Sequence, residues 1–221
     1  MEEIVPALGA GIVSTFICNP LDTIRINYQL NKQITYSIRS LYSGLKYGII
    51  AVPSFWAIYF PLYKKIKETD VPKPIAAYIS CCTGSTFTTP FWVFRQRVQT
   101  GKEVKNMTLI KCYRGLIPTY IINLNFTVQI PLYEYLKDKT ENNTFNTFNT
   151  FNTFLNTSIS KTIATCIFYP FDTIRAKIRN GNNIKEIKLN EYYKGMSIYL
   201  LRSIPYHVSV FCTFEFIKKL M

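Results

Sequence analysis

Three segments of the chain share one arrangement of charged residues behind a proline. They are Pro20-Leu21-Asp22-Thr23-Ile24-Arg25, Pro90-Phe91-Trp92-Val93-Phe94-Arg95 and Pro170-Phe171-Asp172-Thr173-Ile174-Arg175. Trp92 stands where the other two copies have the acid. A proline inside a helix removes a hydrogen bond and bends the helix axis. Three such bent helices can converge at one mouth of a central cavity and bring their acids and arginines close together. The sequence shows no nucleophile–base pairing and no phosphate-binding loop, so it does not indicate an enzyme.

Two further landmarks recur with the same period. An aromatic residue precedes a glycine by two places at Tyr42-Ser43-Gly44, Tyr113-Arg114-Gly115 and Tyr193-Lys194-Gly195. The prolines are 70 and 80 residues apart, and these glycines are 71 and 80 residues apart. The third landmark is Tyr63-Lys64-Lys65-Ile66-Lys67, Tyr133-Glu134-Tyr135-Leu136-Lys137 and Phe214-Glu215-Phe216-Ile217-Lys218. Landmarks that share one period indicate a threefold internal repeat.

The positioning elements are predicted to be membrane-spanning helices. Asp, Glu, Lys and Arg are absent from 4–21, 47–63, 74–94 and 115–133, and each run is long enough to cross a hydrocarbon core of about 30 Å. Lys161 and Arg202 interrupt two further segments, and such a charge normally faces a bundle interior or a watery cavity. We predict an all-α membrane protein with six transmembrane helices in three pseudo-threefold two-helix repeats, joined by short inner-side helices. The predicted helices are 4–29, 44–67, 73–99, 115–138, 153–179 and 195–219.

The predicted helices divide the chain into three repeats that form one membrane domain. The repeats are 1–70, 71–141 and 142–221, and the Asn-Thr-Phe tract at 142–154 is predicted to be a low-complexity linker. The net charge of +13 would also suit a nucleic-acid binder. However, the basic residues are concentrated in the three loops inside the repeats, which the positive-inside rule assigns to the inner compartment. We therefore expect membrane lipids as partners and no nucleic acid. The six cysteines form no CxxC pair, so no metal site is predicted.

The motifs resemble those of the mitochondrial carrier family over essentially the whole chain. The family signature is Pro-x-[Asp/Glu]-x-x-[Lys/Arg]-x-[Lys/Arg] followed by [aromatic]-[Lys/Arg]-Gly, three times over. The resemblance implies a monomeric multi-pass carrier of the mitochondrial inner membrane. It needs no cofactor, although cardiolipin is implied as a structural lipid.

The resemblance implies an inner gate in which the acid of one repeat pairs with the base of the next. The implied pairs are Asp22 with Arg95 and Asp172 with Arg25. Trp92 replaces the third acid, which leaves Arg175 unmatched. The implied inner gate comprises Asp22, Arg25, Trp92, Arg95, Asp172 and Arg175, with braces at Gln29 and Gln99 and with Arg179 in the third brace position.

The same logic implies an outer gate at the other mouth of the cavity. Glu134 would pair with Lys218, and Glu215 would pair with Lys67. Lys64 replaces the third acid, so one lysine is left unmatched. The implied outer gate comprises Lys67, Glu134, Lys137, Glu215 and Lys218.

The aromatic-x-Gly motifs open the second helix of each repeat. The free N–H groups and the dipole at a helix N-terminus favour anions, and in the family this site holds cardiolipin phosphates between repeats. The implied cardiolipin-binding residues are Gly44, Arg114, Gly115, Lys194 and Gly195. The alternative for these residues is a simple helix start.

Substrate-binding residues are predicted on helix faces turned towards the cavity. Counting back seven residues, about two helical turns, from positions 22, 92 and 172 gives Thr15, Ser85 and Thr165. Counting back eleven gives Lys161, which is predicted to face the cavity or, alternatively, to reach the outer surface. Arg202 matches the family's third substrate-contact position.

The other two contact positions are implied by counting back thirteen residues from the outer-gate acid positions. They are Ala51, and Ile121 together with Ile122. Ile121 replaces a glycine usual in adenine-nucleotide carriers, which argues against a specific adenine preference. Trp92 is similar to the branch that carries nucleotides, folate and flavin or nicotinamide cofactors.

These features predict an exchanger of anionic phosphorylated metabolites that works by alternating access. Nucleotides, with ribose or deoxyribose, are the expected substrates. One alternative is a folate or dinucleotide-cofactor carrier. The other is a carrier-like membrane interaction protein that has lost transport, as the incomplete gates would allow.

Overall fold

Long helices make up the computed structural model, which describes residues 4–104, 107–141, 149–182 and 188–220. Within these ranges no strand occurs. The helices are α1 (Ile4–Gln29), α2 (Ile38–Leu41), α3 (Leu45–Lys67), α4 (Lys73–Gln99), α5 (Leu109–Cys112), α6 (Leu116–Asn123), α7 (Asn125–Glu141), α8 (Asn149–Asn180) and α9 (Met196–Leu220), with a 3-10 helix at Leu189–Glu191. The all-helical prediction is therefore confirmed, and α1 and α4 have the predicted bounds.

Two predicted helices differ from the structure. The helix predicted at 115–138 is broken by a turn at Leu124 into α6 and α7. The tract predicted as a linker at 142–154 is helical from Asn149 onward, where α8 begins, while 142–148 lie outside the described residues. An Asn-Thr-Phe repeat has no proline or glycine to stop a helix, so α8 extends backward into it.

The long helices follow one another around the bundle in chain order. α1 packs against α3, α3 against α4, α4 against α6 and α7, and these two against α8. α9 returns to pack along α1. Within the described ranges, α8 and α9 are neighbours in this order but do not pack extensively against each other. The short helices α2 and α5 and the 3-10 helix precede α3, α6 and α9, where short connecting helices are predicted.

Each landmark glycine lies against a motif arginine of the next repeat. A Cβ added at the glycine would lie close to that arginine: 2.8 Å from Arg95 O for Gly44, 3.3 Å from Arg175 Cγ for Gly115, and 3.5 Å from Arg25 O for Gly195. All three glycines have positive φ, between +74° and +83°, a conformation that disfavours side chains. The contacts run from the first repeat to the second, the second to the third, and the third to the first.

The bundle buries polar side chains and exposes apolar ones. Fully buried residues include Ser14, Asn19, Thr23, Ser80, Thr88, Thr89 and Thr173, although such residues are mostly exposed in water-soluble proteins. Several of these hydroxyls donate to the carbonyl one turn earlier on their own helix, as Thr88 does to Gly84 at 2.9 Å. The outer faces expose Ile12, Phe16, Ile75, Ile79, Phe87, Ile159, Ile163, Ile167, Leu201 and Ile204.

The polar inner faces explain why length and hydropathy alone find few membrane spans. Of the described chain, one stretch, Ile38–Lys67, is long and apolar enough to cross a membrane by these criteria. The six predicted spans are therefore not confirmed in this way. The other long helices combine an apolar outer face with a polar inner face, which lowers their mean hydropathy.

Candidate functional site

A cavity of about 320 Å³ lies between α1, α3, α4, α6, α8 and α9. We call it the central cavity. Its charged lining, within the described residues, consists of five arginines and two aspartates, so its net charge is positive: Arg25, Arg95, Arg175, Arg179, Arg202, Asp22 and Asp172. Each of the prolines Pro20, Pro90 and Pro170 lies inside a continuous helix, five residues before the motif arginine of its own repeat. A positive cavity of this kind favours an anionic ligand.

Asp22 contacts two arginines from different repeats. Arg95 Nη2 donates to Asp22 Oδ2 at 2.9 Å, and it also donates to Asn19 Oδ1 at 2.9 Å. Arg202 Nε lies 2.7 Å from Asp22 Oδ1, although the contact lacks hydrogen-bond geometry. The pair of Asp22 with Arg95 is the one that the carrier resemblance implies. Arg202 is added to it, so the arginine expected to meet substrate is also bound to the gate acid.

Asp172 is likewise shared between two arginines. It is paired with Arg25 of α1, as implied, and with Arg175 one turn along its own helix. Gln29 Nε2 donates to Asp172 Oδ2 at 3.1 Å and to Tyr169 Oη at 3.0 Å. The expectation that Arg175 is unmatched is therefore wrong, because Arg175 turns back to the acid of its own repeat.

Trp92 occupies the place of the third acid and lines the central cavity. The Arg95 guanidinium carbon lies 5.3 Å from the centroid of the Trp92 ring, a distance at which a cation is attracted to the ring face. No described carboxylate of α4 faces Arg175. The junction between the second and third repeats therefore lacks the inter-repeat ion pair that the other two junctions have.

The three brace positions make different contacts. Gln29 reaches Asp172, whereas Gln99 Nε2 donates to Thr23 Oγ1 at 3.1 Å. Arg179 Nη2 donates to Thr119 Oγ1 at 3.3 Å. Gln99 and Arg179 both line the central cavity.

The hydroxyl residues predicted for substrate contact do not all line this cavity. Ser85 does, and its Oγ accepts from Asn123 Nδ2 at 3.0 Å. Thr15 instead donates to Gly11 O at 2.7 Å and packs on Gly48. Thr165 lines two smaller cavities, beside α7 and between α8 and α9. All three residues are buried, but equal spacing along three helices does not place their side chains in one cavity, because the neighbouring residues differ.

Lys161 lies outside the lining of the central cavity. It lines a separate cavity of about 240 Å³ between α8 and α9, and its Nζ lies 5.3 Å from the centroid of the Tyr206 ring. The prediction that Lys161 faces the central cavity is therefore wrong in this structure. The loose packing of α8 against α9 gives its side chain a place beside α9.

The counted contact positions Ala51, Ile121 and Ile122 are also absent from the lining. Ala51 is fully buried, and Ile122 lines a small side cavity of about 70 Å³. Counting back from the outer gate assumes a continuous straight helix. The turn at Leu124 interrupts that count in the second repeat, and the prolines Pro53 and Pro61 interrupt α3.

Thr119 and Tyr199 line the central cavity and are not predicted from the sequence, although the repeat offers a signal for them. Positions four residues after the landmark glycines are Gly48, Thr119 and Tyr199. A Cβ at Gly48 would lie 3.3 Å from Arg95 Nε, Thr119 accepts from Arg179, and the Tyr199 ring centroid lies 4.6 Å from the Arg25 guanidinium carbon. The three equivalent positions therefore each meet an arginine of the next repeat.

The outer-gate residues are described only in part. Glu134 accepts from Lys73 Nζ at 2.9 Å, and both side chains are exposed. The side chains of Glu215 and Lys218 lie outside the described residues, so the implied pairs with Lys67 and Glu134 stay predictions. Lys137 interacts with another group, so it is not free.

All three implied cardiolipin-binding glycines are observed at helix starts. Gly44 precedes α3, Gly115 precedes α6 and Gly195 precedes α9, each with a positive φ. Beside Gly115 is an apolar groove of about 590 Å³ between α5, α6 and the end of α8. Lys194 Nζ donates a hydrogen bond to Asn31 Oδ1, and Arg114 lies near Gly181.

Glu191, in the connection before α9, joins the first and third repeats. It accepts from Lys177 Nζ, and from Asn31 Nδ2 at 2.8 Å. These hydrogen bonds, that of Lys177 first, lower the pKa of Glu191 below its ordinary value.

Known proteins similar to this chain cover nearly its whole length. No protein-family model matches it. It is 28% identical to Mitochondrial substrate carrier family protein W of Dictyostelium discoideum, across 100% of this chain and 87% of that protein. It is 26% identical to Nicotinamide adenine dinucleotide transporter 2, mitochondrial, of Arabidopsis thaliana, across 97% and 79%. It is 24% identical to Mitochondrial FAD carrier protein FLX1 of Saccharomyces cerevisiae, across 98% and 96%.

Proposed function

We propose that this chain, which resembles mitochondrial carriers over its whole length, exchanges anionic phosphorylated metabolites across the mitochondrial inner membrane, and that nucleotides are its substrates. The observation that carries the proposal is the central cavity, whose described lining has five arginines and two aspartates. The excess is three positive charges, so a metabolite with two negative charges would offset most of it and one with three would neutralise it. The relatives are carriers by name, which favours transport over catalysis.

The distribution of polarity supports a membrane location for the bundle. The outer faces expose isoleucine and phenylalanine at helical spacing, whereas serine, threonine and asparagine are buried. In a bilayer the apolar faces would contact lipid, while the hydroxyls are satisfied by their own helix backbone. We propose six spans, formed by α1, α3, α4, α6 with α7, α8 and α9, in three repeats around the central cavity. The cycle of glycine contacts supports this threefold arrangement.

The buried ion pairs suggest how access to the cavity alternates. Asp22 with Arg95 and Asp172 with Arg25 join α1 to α4 and to α8 at one end of the cavity. With these pairs formed, that end is closed, and we propose that this is the inner side. Substrate would compete for the arginines and loosen the pairs, and a ligand shifts such an equilibrium only by its differential affinity for the two states.

Dinucleotide cofactors are the second candidate substrates. Two relatives are named as carriers of nicotinamide adenine dinucleotide and of FAD, and both molecules hold phosphoryl groups next to aromatic rings. Phe55, Trp92 and Tyr199 line the central cavity and could stack on such rings.

Cardiolipin is proposed as a structural lipid at the starts of the second helices. The free N–H groups at Gly44, Gly115 and Gly195 could bind its phosphates, and the apolar groove beside Gly115 could hold an acyl chain. We propose a monomer in which these lipids lie between repeats.

Exchange in liposomes tests the function directly. Purified protein would be reconstituted into cardiolipin-containing vesicles loaded with one nucleotide or dinucleotide, and uptake of labelled nucleotides, NAD, FAD and folate would be measured. We expect uptake that requires an internal counter-substrate. If no phosphorylated metabolite is exchanged from any loaded pool, the proposed function is wrong.

A further inference from the structure

Arg179 is a buried cation without a described anionic partner. Arg179 is only 6% exposed, and it lines the central cavity. Within the described part of the chain, Nη2 donates to the neutral hydroxyl of Thr119 at 3.3 Å, and Nε has no hydrogen-bond partner. Among the described residues, no carboxylate lies within ion-pair distance of it. A buried guanidinium without a counter-charge is costly, so this group is suited to a ligand.

The junction between α4 and α8 is where an anion is missing. At the other two junctions an aspartate of one repeat pairs with an arginine of the next. Here Trp92 replaces the aspartate, and Arg175 pairs within its own helix. Gln96 Nε2 donates to Ala176 O across the junction, which is a contact between neutral groups. Two arginines of α8 therefore face the cavity where the partner repeat supplies no described acid.

We propose that a phosphoryl group of the substrate binds at this junction, held by Arg179 and Arg175. The inference rests on the proposed exchange of phosphorylated metabolites and adds the residues that select them. Arg175 and Arg179 are four residues apart on α8, so they lie on one face of the helix. A phosphoryl group offers three acceptor oxygens and its charge, which suits two guanidinium groups. It would act where the missing carboxylate acts at the other junctions.

The position of Arg179 in the repeat provides a matched variant. Its equivalents are Gln29 and Gln99, so Arg179→Gln gives the third repeat the residue that the other two have. Glutamine can still donate to Thr119, but it removes the positive charge. The detergent-solubilised variant should unfold at a temperature no lower than that of the wild type, because an unpaired buried charge is removed.

Measurements of ligand binding and of exchange then test the proposed phosphoryl site at Arg175 and Arg179, which we call the anchor. Pyrophosphate and nucleoside mono- and triphosphates would be added to both proteins in thermal-unfolding measurements, and exchange would be measured in liposomes. We expect these ligands to raise the unfolding temperature of the wild type, and the shift to be lost in Arg179→Gln. The KM for nucleotide should rise about tenfold or more, as expected for loss of a charge-assisted hydrogen bond, and Arg179→Lys should retain part of the affinity.

The outcomes separate the anchor from the proposed function. If Arg179→Gln exchanges nucleotides with an unchanged KM and keeps the ligand shift, the anchor is wrong and the proposed function stands. If the variant unfolds earlier than the wild type with the ligand shift intact, Arg179 is a structural brace and the anchor is wrong. If the wild-type protein neither binds nor exchanges any phosphorylated metabolite, the proposed function fails and the anchor fails with it.

Discussion

Arg202 of α9 lies 2.7 Å from Asp22 of α1, so a predicted substrate contact is bound to a predicted gate residue. Asp22 also accepts from Arg95 of α4. One carboxylate therefore balances two arginines from different repeats. A substrate phosphoryl group that attracted Arg202 would weaken the hold of α9 on Asp22, which links substrate binding to the gate.

The first prediction concerns Arg202 and uses Lys161 as its control. Arg202→Ala should lower the rate of nucleotide exchange at least tenfold, because a cation that lines the cavity and binds Asp22 is lost. Lys161→Ala should leave exchange within about twofold of the wild type, because Lys161 lines a separate cavity. Initial rates in liposomes would be compared. A loss in Lys161→Ala as large as that in Arg202→Ala would contradict this assignment.

The second prediction concerns the pair of Asp22 with Arg95. Removing one partner of a buried ion pair costs about 3–5 kcal/mol, because the other charge is left uncompensated. Asp22→Ala should destabilise more than Arg95→Ala, since Asp22 balances two arginines and Arg202 can still pair with it when Arg95 is removed. Unfolding in detergent would be measured for both variants and for the double variant. Simple additivity of the two single effects would argue against a coupled pair.

The resemblance to mitochondrial carriers implies the two inter-repeat ion pairs, whose residues stand at fixed offsets from proline in this sequence. The structure pairs Asp22 with Arg95 and Asp172 with Arg25, as implied. Their action as a gate stays a prediction. The sequence does not reveal which carboxylate pairs with Arg175. It shows that Trp92 replaces the expected acid, but not which other acid takes over that role.

The substrate-contact positions are predicted less well for a different reason. Ala51 and Ile121 are implied by counting along helices, and each step of about 100° must hold for more than three turns. The turn at Leu124 and the prolines of α3 interrupt that regular rotation, and neither counted residue lines the central cavity. Lys161 lies outside the central cavity because α8 and α9 pack loosely. Loose packing between two helices cannot be predicted from the spacing of residues in the sequence.

The third prediction separates two effects of replacing glycine by alanine: the disruption of a close contact between repeats and the strain of a positive φ. Gly44 and Gly101 both have positive φ, +74° and +68°, so alanine adds backbone strain of about 1–2 kcal/mol at either site. At Gly44 the new Cβ would also lie 2.8 Å from the backbone oxygen of Arg95, whereas nothing lies within 4 Å at Gly101. Gly44→Ala should therefore lower the unfolding temperature more than Gly101→Ala. Equal decreases would show that the contact between repeats adds nothing.

The fourth prediction is a dependence of stability on pH through Glu191. Its pKa is lower in the folded than in the unfolded protein, because Lys177 and Asn31 donate to the carboxylate. The folded state therefore binds fewer protons, and this stabilisation is complete above the unfolded pKa of about 4.3. It is lost as the pH falls through the folded pKa. The unfolding temperature of the wild type should exceed that of Glu191→Gln near pH 7, and the difference should shrink below about pH 4. A constant difference over this range would contradict the linkage.

The fifth prediction restores the acid that Trp92 replaces. In Trp92→Asp the new carboxylate would face Arg175 and Arg179 and give the junction of α4 with α8 the ion pair that the other junctions have. The closed state should become more stable, so the unfolding temperature should rise while the exchange rate falls. The new acid would also repel substrate phosphoryl groups, so the KM for nucleotide should increase. Trp92→Asn is the matched control, since it removes the ring without adding charge. If Trp92→Asn slows exchange as much as Trp92→Asp without a rise in unfolding temperature for either, the ring itself matters and the charge vacancy does not.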